Sequence, residues 1–132
     1  MAGAPLFLLR APGGTLPLLA VLVDRLEEAG ELLPVPAAPP AIAGVTEVRS
    51  VVLTLLDPAA LPGWEPGEPD AGSGPGLPRC VLRLTEPWRH LAIHVPAGSR
   101  LDGATGPHPG VLTPRRLAAF LADLVTPAGE PR

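Results

Sequence analysis

Two of the chain's three histidines, His90 and His94, lie four residues apart in WRHLAIHVPAG, residues 88–98. On a helix that spacing makes a metal-binding pair. On a strand both side chains point the same way, but their Cα atoms stand about 13 Å apart, too far to share a zinc ion bound at about 2 Å. Leu91, Ile93 and Val95 alternate with His90, Ala92 and His94, a strand pattern that places both histidines on the face away from the main core, as the solvated side of a hairpin. A second arrangement stays open. His94 comes near the strand end, and the turn-rich segment PAGSRLDGATGPHPG after it carries Asp102 and His108. Folded back, that segment would offer the two-histidine, one-carboxylate donor set of a metal-assisted site. DG and GPHPG are also ordinary turn sequences, which explains Asp102 and His108 without any ligand.

Nucleophilic chemistry has little support. Ser50 and Ser99 lack the G-x-S-x-G elbow, Ser73 sits among glycines and prolines, and Cys80 shares a strand face with Leu82 and Leu84, as a small buried thiol does. Glu27-Glu28 are expected on the wet side of a helix. APGGT precedes that helix but has neither the P-loop lysine nor the G-x-G-x-x-G spacing, so it reads as a turn and cap rather than a phosphate cradle. For binding, the two tryptophans stand out. Trp64 and Trp88 lie in or beside proline-rich turns, where a large apolar side chain can either anchor a partner or fold over the core.

Composition narrows the classes. All ten cationic residues are arginine, the net charge is −3, and lysine, asparagine, glutamine and tyrosine are absent, a bias expected of a GC-rich bacterium. Without a basic run or stacking aromatics, nucleic acid is not an expected partner. The single cysteine excludes an internal disulfide and suits a cytoplasmic setting. Gly13-Gly14 and Asp24 interrupt any membrane-length apolar run, so neither a membrane partner nor a signal segment is expected.

The elements that must position these residues follow from periodicity. PLFLLR, residues 5–10, reads as a strand. Thr15 then caps a helix running to Gly30, with Leu19, Leu22, Leu26 and Ala29 along one stripe. A proline-rich connector spans 34–44, and VTEVRSVVLTLL, residues 45–56, is a β-branched strand. Turn formers make 57–78 a long, mobile loop. RCVLRLT and RHLAIHV form an antiparallel hairpin, and Thr113-Pro114 opens a helix with Leu117, Leu121, Leu124 and Val125 on one face, followed by a tail at 126–132.

The expected fold is therefore a single α+β domain over 1–132: an antiparallel sheet of three to four strands with two helices on one face, in the order β-α-β-β-β-α. The expected function is that of a non-catalytic accessory protein binding another chain or a second copy of itself, as a subunit of a larger assembly, through Trp64 and Trp88 and without a cofactor. The alternative is a small metal-dependent enzyme or ligand-binding protein built on His94, Asp102 and His108 in the 98–110 region.

Overall fold

The computed structural model describes residues 3–67 and 76–125. Its chain order is β1 (Pro5–Ala11), β2 (Gly14–Leu19), β3 (Val23–Glu28), β4 (Ile42–Val48), β5 (Val51–Leu56), β6 (Glu65–Pro66), β7 (Cys80–Leu84), β8 (Leu91–Val95), β9 (Arg100–Thr105) and α1 (Pro114–Val125), with short 3-10 turns at Ala20–Leu22 and Pro58–Ala60. The strands form two sheets, β6-β2-β1-β9 and β3-β7-β8-β5-β4. The α+β expectation is thus overturned: the domain is mostly β, with a single α-helix among the described residues. Nor is pairing wholly antiparallel, since β5 and β8 run parallel.

The largest correction is the helix expected over 15–30, which is β2, a 3-10 turn and β3. In β2, Leu16 and Leu18 are buried at period two, and Pro17 fits because its nitrogen points away from β1, so no ladder bond to β1 is lost. The Pro17 carbonyl accepts from Leu112 N–H at 2.8 Å and Leu19 N–H donates to Leu112 at 3.0 Å, so this side of β2 points away from β1. In β3 a bulge between Val23 and Arg25 sets Val23 opposite Leu84 and Leu26 opposite Leu82. The extra residue spaces the two core-facing side chains by three, which imitates helical periodicity. APGGT is accordingly a hairpin turn between β1 and β2, with Gly13 at φ +94°, and not the start of a helix.

Residues 45–56 divide into two strands, β4 and β5. Arg49 and Ser50 both take positive φ (53° and 66°), closing a two-residue hairpin whose twist matches its strands. The segment after β8, expected as a loop to 110, contains β9, which pairs along β1 from Pro5↔Thr105 to Arg10↔Arg100. Within 57–78, Asp57 caps the Pro58–Ala60 turn and Glu65–Pro66 pairs with β2; residues 68–75 of that loop, and the tail 126–132, lie outside the described residues. Of the connector 34–44, residues 42–44 already belong to β4.

The five-stranded sheet is apolar on both faces. Leu82, Leu84 and Ile93 face the main core with Leu9, Leu16 and Leu18, whereas Val81 and Ala92 face a second cluster with Val48, Leu53 and Leu55. β3 and β4 are the two edges of this sheet, yet the chain leaving β3 returns to β4. Leu33 and Val45 exchange backbone hydrogen bonds at 2.9 and 2.8 Å, and Thr46 Oγ1 donates to the Glu31 carbonyl at 2.8 Å. The sheet therefore curls on itself around the second cluster, which protects edges that would otherwise pair with other chains.

Candidate functional site

The structure does not bring the three metal-ligand candidates together. His94 is on β8 of the five-stranded sheet, whereas Asp102 is on β9 of the other, where Arg10 Nε donates to its Oδ2 at 2.7 Å. His108 follows β9, with Nε2 3.8 Å from Glu65 Oε2. Among the described residues no group of three His, Cys, Asp or Glu side chains is placed to hold a metal ion. His94 also departs from the solvated position expected of it. Its β8 face is the one that covers the second cluster, and its Nε2 is buried with no hydrogen-bond partner among the described residues. Burial foremost, then nearby Arg79, hold the imidazole below its ordinary pKa, and Asp57 opposes them. His94 is thus a neutral ring at pH 7. Cys80 is buried beside Leu82, donates to the Pro78 carbonyl at 3.1 Å, and has its thiol pKa raised by burial and then by Glu28. Such a thiol is a poor nucleophile.

The two tryptophans are placed differently. Trp64 lies across Gly14, where the missing side chain leaves room for the indole, and packs on the main core as a cover. Trp88 sits in the turn between β7 and β8. Its N–H donates to the Thr85 carbonyl at 2.9 Å, its carbonyl accepts from Leu91 at 3.0 Å, and Thr85 is itself tied to Leu22 and Val21. The turn is therefore pinned on both sides, and the half-buried indole forms one wall of a groove of about 660 Å³.

The opposite wall is α1, positioned by its own sequence. Thr113 Oγ1 accepts from the Arg116 N–H at 3.1 Å as an N-cap, and Pro114 occupies the first helical position, as expected from the residues alone. Arg116 Nη1 then reaches back to the carbonyls of Gly110 and Val111 at 3.0 and 2.9 Å, and buried Leu112 is bonded to the β2 edge. Leu117 of this helix is fully buried, Leu121 and Leu124 are partly covered, and Ala118 and Ala122 are exposed. These side chains face Trp88, Leu91, Leu56 and Ile42 across the groove. Among the described residues the lining is apolar apart from His90.

Sequence reasoning missed one feature. Glu27, expected on a wet helix face, is nearly buried at the seam between β3 and β4. Its Oε1 accepts from Arg83 Nη1 at 3.1 Å and its Oε2 lies 2.8 Å from Arg49 Nε. The three partners come from β3, the β4–β5 turn and β7, so no local pattern announces them.

No protein-family model matches the chain, and no curated protein sequence matches it. Among solved structures it is similar to the scaffolding protein TtCheW from Thermoanaerobacter tengcongensis, with a TM-score of 0.53 and 13% identity, covering 77% of this chain and 62% of that one. At that identity the likeness is one of fold, and the chain spans less than two thirds of the length of the structure it matches.

Proposed function

We propose that this protein is a non-catalytic scaffold that docks another protein chain in the groove between α1 and the β7–β8 turn. The observation that carries the reading is the groove itself: an open apolar channel with a backbone-pinned tryptophan on one wall and the half-covered stripe of α1 on the other. Tryptophan buries about 150–250 Å² when covered and is enriched among residues that dominate interface energy. The fold likeness to a protein described as a scaffold supports the same reading. So does the chemistry of two candidate catalytic groups: Cys80 is shielded with its thiol pKa raised, and Asp102 is engaged by Arg10.

The test uses the chain's single cysteine to advantage. Because Cys80 is buried, an Ala122→Cys variant carries one accessible thiol, which takes a benzophenone crosslinker in the groove. Illumination in extract of the source cells should yield a discrete protein adduct that Trp88→Ala weakens about thirtyfold, the loss of an interface anchor worth about 2 kcal/mol. An adduct that forms equally with Trp88→Ala, or none at all, would refute the groove as the docking face.

A further inference from the structure

We infer that His94 is a proton-operated latch on the seam that closes the five-stranded sheet, holding chain 29–33 against β4 while its ring is neutral and releasing it when the ring is protonated. The seam is on the sheet face opposite the docking groove, so the latch does not depend on what the groove binds. Register assembles it. Val81 of β7 is directly opposite His94, which puts Arg79, two residues back, on the same face and diagonal to the ring. Leu56 of β5 is level with Ile93, so Asp57 comes level with His94 on its other side. Arg79, His94 and Asp57 thus form a row across the ends of three neighbouring strands, at one end of the inner face that covers the second cluster.

Arg79 is the part that grips the seam. Its carbonyl accepts from the Ala29 N–H at 3.1 Å, and its Nη2 donates to the Gly30 carbonyl. Directly after those residues the returning chain joins β4, through the Leu33–Val45 exchange and the Thr46 bond to Glu31. Arg79 Nε and His94 Nε2 are both buried without a hydrogen-bond partner among the described residues. Asp57 is already engaged, its Oδ1 accepting from the Ala59 N–H at 3.0 Å. Further along the same face Glu27 and Arg83 are paired with each other, and Glu28, Glu31 and Glu47 are exposed. A proton on His94 therefore sets a second cation beside Arg79, with Asp57 as the carboxylate level with it. Burial and Arg79 together outweigh Asp57 in holding the ring below its ordinary pKa, in keeping with that balance. The local relief is for Arg79 to let go of Gly30 and for chain 29–33 to lift, which brings water to the ring and bares the β4 edge.

The experiment is native-state hydrogen exchange on the full chain, read residue by residue by NMR between pH 7.5 and 5.5 and corrected for intrinsic rates. An opened ring takes its proton near the ordinary histidine pKa of about 6.5, so the closed seam is whole above that pH and is lost below it. Protection of the Leu33 and Val45 amides should fall about tenfold over the range, at one log unit per pH unit on the acid side. At pH 5.5 these amides should exchange well ahead of the best-protected amides of the β1–β2 ladder, which report whole unfolding. His94→Gln should abolish the fall. Seam amides that exchange only at the pace of the ladder, protection that stays flat across the range, or a fall that persists in His94→Gln would overturn the latch. If His94→Gln does not fold, the wild-type slope and the lead of the seam amides over the ladder decide the question by themselves.

Discussion

Replacing Glu27 should be among the most damaging single changes in this protein, although its neighbour Glu28 is freely exposed. The Glu27 side chain is 8% exposed and its two oxygens serve two cations of different standing. Arg83, 14% exposed, shares the interior of the curled sheet, whereas Arg49 is 72% exposed at the hairpin tip. A solvated partner contributes about 0.2–1 kcal/mol, since water and salt screen it, so Arg49→Ala should fall in that range. Glu27→Ala leaves the Arg83 guanidinium without its counter-charge in a nearly buried position, which costs about 3–5 kcal/mol. That is a large share of the roughly 5–15 kcal/mol by which domains are stable. Urea unfolding followed by the fluorescence of Trp64 and Trp88 measures Arg49→Ala, Glu27→Ala and Arg83→Ala, and a Glu27→Ala, Arg83→Ala cycle isolates the pair. The pair should show a coupling energy of about 1.5–3 kcal/mol. Paired replacement by Leu at 27 and Met at 83 should restore stability to near the wild-type value, because no charge is then left buried. Arg49→Ala costing as much as Arg83→Ala, or Glu27→Ala costing under about 1 kcal/mol, would refute burial as the source of the effect.

Three further outcomes are expected. His94 is held below its ordinary pKa, so the unfolded chain binds a proton first as pH falls past about 6.5; the stability of the neutral ring is whole above that pH and is lost below it. The unfolding free energy of wild type relative to His94→Gln should therefore shrink between about pH 7.5 and pH 5.5, and a difference that grows would contradict the placement. Cys80 should resist alkylation at pH 8 in the native protein and react at once in denaturant; rapid native labelling would contradict its burial and raised pKa. Ser50→Gly should raise the urea midpoint, corresponding to about 1 kcal/mol, because Ser50 holds φ +66° at a left-handed position that glycine adopts without steric cost. A lowered midpoint would mean that the serine side chain stabilises the turn.

How far the residues alone reach depends on how local the deciding interaction is. α1 is legible because its start signals, Thr113 and Pro114, act within one turn of the helix they open, and its leucine stripe lies within the helix itself. The β7–β8 pair is legible for the same reason: its alternation and short connection lie within sixteen residues, and Cys80↔Val95 and Leu82↔Ile93 pair as the pattern implies. Composition likewise sets the charge balance and the single buried thiol. The region 14–30 is not legible, since a bulge at Val23/Arg25 produces helix-like spacing inside a strand, and only the register against β7 distinguishes them. β9 hides behind Asp102-Gly103 because its partner β1 is some ninety residues away, as the Arg10–Asp102 pair shows with a separation of 92. The candidate site follows the same division. Trp88 stands out by type, but what it faces comes from β4, β5, β8 and α1, and the Arg83–Glu27–Arg49 cluster joins three elements distant in sequence. Nearest-neighbour chemistry determines which segments can be regular; contacts between distant segments determine which regular form each takes, and they alone build the groove.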